Sequence, residues 1–207
     1  TQVERVKDYF HRFVTKFPSV FDLAEADEAV VLKYWEGLGY YRRARQLHAA
    51  AKLIVSDHEG IFPHDACALR QLPGVGRYTA GAISSISFDL PEPILEANSR
   101  RVLARLTHYG RPLSGNKDDQ PLWDIAAAIV PRDGGAGAFN QALMDLGSIV
   151  CTPVSPCCET CPLAEHCKAY QRGSVDQIPN VPTRKSSKKI NEKAYVLVHK
   201  GKLLVVR

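Results

Sequence analysis

Five of the chain's six cysteines lie between Cys151 and Cys167, in the run CTPVSPCCETCPLAEHC, and no other stretch narrows the possible folds as much. Cys151, Cys158, Cys161 and Cys167 are separated by six, two and five residues, so four thiolates share one compact loop. No signal peptide or long apolar run is visible, and reducing compartments keep thiols free, so such crowding argues for metal before disulfides. Zinc sites are usually built from two separated C-x-x-C knuckles, and only Cys158 and Cys161 make such a pair. Four cysteines wrapped in one loop suit the larger [4Fe-4S] cube better, each iron taking one thiolate. Zinc stays the alternative on this chemistry alone. Cys157, beside Cys158, can compete as a ligand, and Cys67 reads as a small buried hydrophobe.

The rest of the chain reads as helix after helix. Val3, Val6, Phe10, Phe13 and Val14 recur at helical spacing and predict a core-facing helix ended by Phe17-Pro18-Ser19. Phe21-Asp22-Leu23 enters a short helix, and Asp27 can cap the next, which buries Val30, Val31, Tyr34 and Trp35. An amphipathic helix is expected over Arg45 to Ser56, and others over Pro121 to Val130 and Phe139 to Val150. No convincing strand precedes residue 194, so the main body is expected to be all-α. Pro179, Pro182 and the basic run Arg184 to Lys189 then read as a linker, and Tyr195 to Val198 and Leu203 to Val206 flank a turn in the manner of a β-hairpin. The chain starts in helical rhythm without a cap and stops inside an apolar strand pattern, so we expect it to belong to a longer protein.

Two glycine-containing loops carry the chemistry that composition does not. Leu72-Pro73-Gly74-Val75-Gly76 opens a small-residue helix, and glycines in a tight turn can take positive φ and bring bare N–H groups to a partner. Unpaired N–H groups and the positive end of the helix dipole make such a turn an anion site, for which a nucleic-acid phosphate is the natural ligand. This looks like a helix-hairpin-helix DNA clamp, with an ordinary glycine-containing helix–helix connection as the plain alternative. Gly37-Leu38-Gly39-Tyr40-Tyr41 is an aromatic tip followed by Arg42, Arg43 and Arg45, and a wedge beside cations is one way into a base stack. Arg100, Arg101 and Arg105 form a second basic cluster, on which a solvated helix face is the plain alternative. The net charge of +5 suits a polyanionic partner without demanding one.

The cysteine spacing and the hairpin together resemble the endonuclease III superfamily of helix-hairpin-helix DNA glycosylases. Trp35 to Tyr41, Arg45-x-Leu47-His48 and Leu72 to Ile83 resemble its adenine DNA glycosylase (MutY-type) branch, and the likeness covers nearly residues 1–175. The resemblance implies a six-helix barrel lobe with the hairpin over 1–90, a [4Fe-4S] domain over 91–173, a linker over 174–193, and over 194–207 the truncated β start of a Nudix-like C-terminal domain. It implies removal of adenine from double-stranded DNA where it is mispaired with 8-oxoguanine or guanine, by a monomer inside the cell, with no membrane partner. In a bacterium the location is the cytoplasm and nucleoid, and in a eukaryote the nucleus or mitochondrion. The alternatives are a thymine or uracil mismatch glycosylase and a non-catalytic iron-sulfur DNA-binding protein.

Carried over position by position, the resemblance assigns Leu38, Gly39 and Tyr40 to the duplex wedge. Leu72, Gly74, Val75, Gly76 and Arg77 go to the phosphate clamp, and Cys151, Cys158, Cys161 and Cys167 to the cluster. Bifunctional relatives carry after the hairpin arginine a lysine whose amine forms a Schiff base with the sugar. Tyr78 stands there, a phenol cannot form that imine, and hydrolysis by water is the consistent route. Glu96 falls where the family has an aspartate that stabilises charge growing on the sugar; a carboxylate is kept, with one more methylene. Asn98 matches a residue near the flipped nucleotide and is also a good N-cap. The family's second acid precedes a sequence like Thr1-Gln2-Val3, so we expect it upstream of residue 1 and the 207-residue chain to be impaired.

Overall fold

Apolar residues at three- and four-residue spacing become helices through most of the chain. The computed structural model describes residues 3–113, 119–180, 198–199 and 202–203. The first four helices are α1 (Val3–Lys16), α2 (Val20–Glu25), α3 (Glu28–Trp35) and α4 (Tyr41–His58). A capping box starts α2: the Asp22 amide donates to Ser19 Oγ while the Ser19 amide donates to the Asp22 carboxylate. Phe17, Leu23, Val31 and Ala51 are buried between these helices, and Phe13 meets Trp35 edge-on with ring centroids 6.0 Å apart. The apolar face of α1 is narrower than its spacing predicts. Phe13 turns inward, whereas Phe10 is 59% and Val14 43% exposed, because α1 rests chiefly on α3 and a single neighbour covers only a stripe.

The hairpin follows as α5 (Ala66–Leu69), a turn, and α6 (Arg77–Phe88). Asp65 caps α5, accepting from the Ala68 amide, and Leu69 and Leu72 are driven into a core with Ile54 and Ala80. Cys67, on the other side of this one-turn helix, is exposed and not the buried residue expected. After it come α7 (Ala97–Thr107), α8 (Gln120–Ile129) and α9 (Ala136–Asp145). Leu103 and Leu122 are completely buried at the centre of the largest core, each worth about 1.5–3 kcal/mol of apolar burial. A single π-helical turn, Leu146–Val150, and the cysteine loop lead to α10 (Lys168–Gln171). Val198–His199 pairs antiparallel with Lys202–Leu203, in the expected hairpin position. The basic run Arg184 to Lys189 and the remainder of the two strands lie outside the described residues.

Helices α6 and α9 meet backbone to backbone. A Cβ on Gly137 would stand 2.6 Å from the Ser85 carbonyl oxygen, so glycine is required by the approach. Buried Asn140 bridges the contact, donating to Ser85 Oγ at 2.8 Å and to the Glu92 carbonyl at 2.9 Å. Asp89, the left-handed C-cap of α6, completes it by accepting from the Gly135 and Gly137 amides at 2.8 and 2.9 Å at the head of α9. The Gly137 and then the Gly135 N–H hold the Asp89 carboxyl below its usual range. A depressed folded-state pKa stabilises above the unfolded value, near 3.9, and that contribution is lost as pH falls through the folded value. Asp89→Asn, which tolerates the left-handed backbone, is therefore expected to lower the urea midpoint at neutral pH. Its deficit should shrink in acid, and a deficit independent of pH would exclude the charge as its cause.

Candidate functional site

The hairpin turn leads into a head of α6 that has no side-chain cap. Gly74 is in the left-handed region at φ 82°, and a Cβ there would lie 2.8 Å from Gln46 Cβ. Gly76 departs from the expectation of positive φ: it is extended, at φ −89° and ψ 179°, as the N-cap of α6. Neither backbone strain nor a neighbour within 4 Å inside the chain demands glycine there. It supplies no side-chain cap, so the first amides of α6, at Arg77, Tyr78 and Thr79, are left without a cap from the N-cap side chain. Leu72 is buried, accepting from the Val75 amide at 3.1 Å, and anchors the turn while Gly74 and Gly76 stay exposed. Arg77 reaches α8, its guanidinium 4.0 Å from the Trp123 ring centroid and donating to Gln120 Oε1 at 3.1 Å. It braces the hairpin with its stem while its exposed flank adds positive charge.

The aromatic tip is attached to the same body. Trp35 Nε1 donates to the Gly39 carbonyl at 3.0 Å, Leu38 and Gly39 are half-buried, and Tyr40 is 77% exposed. Tyr40 is itself left-handed, at φ 49°, a conformation that costs a non-glycine residue. The Arg43 guanidinium lies 5.4 Å from its ring centroid. Gln46, which touches Gly74, is five residues beyond the start of α4, about 8 Å along its axis. Tip and hairpin turn thus hang from one end of α4.

Glu96 occupies a position the sequence assigns to Asn98: it is the N-cap of α7. Its Oε1 accepts from the amides of Asn98 at 2.8 Å and Ser99 at 2.7 Å, and Ser99 Oγ accepts from the Glu96 amide at 2.8 Å. The longer side chain bends back far enough to serve as cap, which frees the Asn98 side chain. Asn98 Oδ1 instead accepts from Arg101 at 2.8 Å. Half-buried Glu96 therefore has one oxygen fixed by two N–H groups and the positive end of a helix beside it. Tyr78 packs at the head of α6, its hydroxyl 3.5 Å from Met144 Sδ. Burial, and then the negative charge of Glu96, raise its pKa, so the phenol stays a neutral O–H donor beside the carboxylate.

Two of the three arginines of the second basic cluster do not lie on a solvated face. Arg101 and Arg105 are 7% and 3% exposed. Arg101 donates to the carbonyls of Cys151 and Gly147, both at 2.6 Å, as well as to Asn98. Arg105 donates to the carbonyls of Thr152 and Ile178, both at 2.8 Å. Arg100 Nη2 lies 2.7 Å from a carboxylate oxygen of fully buried Asp119. Nothing in the arginine pattern signals this burial. One signal did stand in the sequence: Gly147 permits the α7 approach, since a Cβ there would lie 2.7 Å from Asn98 Cβ. The π-turn around it sends the Cys151 amide to the Leu146 carbonyl five residues back, at 2.7 Å.

Cys151, Cys158, Cys161 and Cys167 line one cavity, with Cys157 at its outer edge. Burial raises the Cys158 thiol, and the charges of Cys151, Cys167 and Cys161 push the same way against Arg105. Among the described residues no three metal-binding side chains converge as a single-ion site. Four thiols around a shared cavity are a donor set that zinc and iron-sulfur groups both use, and an iron-sulfur group is compatible with it.

The glycine turn at the head of α6, the exposed Tyr40 before α4 and the carboxylate that caps α7 belong to one helical body. The family description "HhH-GPD superfamily base excision DNA repair protein" matches residues 1–120, and the chain belongs to that superfamily. It is 43% identical over 185 residues to the adenine DNA glycosylase of Mus musculus, covering 89% of this chain and 36% of that protein. It is 38% identical over 193 residues to that of Buchnera aphidicola subsp. Schizaphis graminum, covering 93% and 54%. The chain thus spans about a third to a half of the curated relatives it matches. Among solved structures, a thermostable thymine-DNA glycosylase superposes with TM-score 0.74 at 30% identity, covering 83% of this chain and 79% of that one. A non-covalent endonuclease III–DNA complex superposes with TM-score 0.68 at 23% identity, covering 82% and 78%, a likeness of fold. Among the described residues no helix is long and apolar enough to cross a membrane.

Proposed function

We propose that the chain carries the hairpin, wedge and carboxylate of a monofunctional adenine DNA glycosylase acting on adenine opposite 8-oxoguanine or guanine in duplex DNA. One observation carries the reading: Glu96 is fixed at the head of α7 by the Asn98 and Ser99 amides, and Tyr78 stands where bifunctional relatives have a lysine. Tyr40 enters the stack and the adenine turns out. The uncapped amides at the head of α6, after the Gly74–Gly76 turn, hold backbone phosphate. As the glycosidic bond breaks, the Glu96 carboxylate stabilises positive charge on the sugar, and water completes the hydrolysis. The likeness to two adenine DNA glycosylases supports the substrate.

The finer architecture belongs to the same proposal: a six-helix barrel lobe over 1–90, a cluster domain over 91–173, a linker, and the start of a Nudix-like domain. Cys151, Cys158, Cys161 and Cys167 would hold a [4Fe-4S] cluster, which when bound supplies a rigid cross-link that positions the loop against DNA. The protein acts as a monomer, within the cell.

A second reading, a thymine mismatch glycosylase, is favoured by the likeness to the thermostable thymine-DNA glycosylase. The two separate in excision assays on protein expressed from its natural open reading frame, with duplexes holding A:8-oxoguanine, A:G or G:T. Adenine release from the first two is expected. Release of thymine instead assigns the second reading.

A further inference from the structure

Arg105 is nearly excluded from water, yet no carboxylate lies within ion-pair distance of it among the described residues. Burying a guanidinium without a counter-charge is costly, and a negative group next to it would offset that cost. Its Nε donates to the carbonyls of Val175 at 3.1 Å and Ile178 at 2.8 Å, its Nη2 to that of Pro153 at 3.4 Å, and its Nη1 to that of Thr152 at 2.8 Å. The one contact that is not a carbonyl is Nη1 to Cys151 Sγ, at 3.3 Å. A neutral thiol is a weak acceptor, whereas a thiolate is a strong one for a charged donor. The four-thiolate site around a doubly positive core is left doubly negative, and buried Arg105 and Arg101 stand beside it to offset that charge.

Resting on the [4Fe-4S] reading above, we propose that Arg105 is a positioning residue of the cluster site. It clasps the loop between residues 151–153 and 175–178, and its N–H···S bond withdraws charge from the Cys151 sulfur. Cys151 becomes the most firmly held corner, and the more reduced, more negative form of the bound cluster is favoured.

The test uses the iron-loaded full chain with Arg105→Gln and Arg105→Lys. The reduction potential is expected to fall in Arg105→Gln, which removes charge and bond. It should fall less in Arg105→Lys, which keeps the charge. Loss of visible absorption under chelator is expected about tenfold faster in Arg105→Gln, the worth of one charge-assisted hydrogen bond. Either variant can loosen the loop as a whole, so a measurement on wild type accompanies them. In protein grown with 15N-arginine, the spin echo of the paramagnetic cluster should carry a 15N modulation that weakens in Arg105→Lys, where only Arg101 remains beside the site. An unchanged potential and chelation rate in Arg105→Gln, or no 15N modulation in wild type, overturns the proposal. A wild-type chain that purifies with zinc and no iron overturns the cluster reading first, and this inference with it.

Discussion

Glu96→Gln is expected to slow adenine excision by about 10²–10³-fold under single-turnover conditions, with binding to the A:8-oxoguanine duplex changed less than about threefold. The substitution is selective for a structural reason. A glutamine Oε1 can still accept from the Asn98 and Ser99 amides at the head of α7, so the cap survives and only the charge is lost. A neutral amide does not stabilise a cation forming on the sugar, and that interaction exists only in the transition state. Excision by Glu96→Gln within about threefold of wild type would remove Glu96 from the chemistry and leave it a helix cap. Glu96→Asp is the complementary variant. It retains charge and cap with one methylene fewer, and is expected to keep at least the wild-type rate.

Arg101→Ala is expected to cost at least about 3 kcal/mol of stability, because three buried acceptors lose their donor at once. The loss leaves the carbonyls of Gly147 and Cys151 and the Asn98 side chain without their shared donor, and each buried acceptor abandoned in this way costs about 1–3 kcal/mol. Lysine does not rescue it, since one ammonium cannot span three acceptors on different segments. Urea unfolding measures the effect. Arg45→Ala is the internal contrast: Arg45 meets Glu28 at 3.1 Å with both side chains 54% exposed, and such a pair is worth at most about 1 kcal/mol. Equal losses at the two positions would refute the buried network.

The contrast between those arginines shows where sequence reading stops. Arg42, Arg43, Arg45, Arg100, Arg101 and Arg105 look alike in a list of charges, and helical spacing alone leaves Arg101 and Arg105 on a face that could be wet. Both are buried because the π-turn and cysteine loop, some fifty residues later, fold over α7 and present carbonyl groups that need donors. The same distance in sequence hides the Met144 partner of Tyr78 and the Asp89 clamp on α9. Local signals failed in a smaller way at the cap of α7, where Asn98 is the better N-cap by preference and Glu96 by geometry.

What the sequence determined by itself was the helical body, from apolar residues at three- and four-residue spacing, the glycine turn before α6, and the four-cysteine loop. Each is written in residues close together in the chain, where short-range sterics and spacing decide the outcome. The tertiary structure alone decided that Gly74 lies against Gln46 of α4, that the Tyr78 phenol is partly buried against Met144, and that two arginines are buried against the cysteine loop. Those arrangements depend on which helix faces meet, and that is set by burial and by the pairing of every buried polar group across the whole chain.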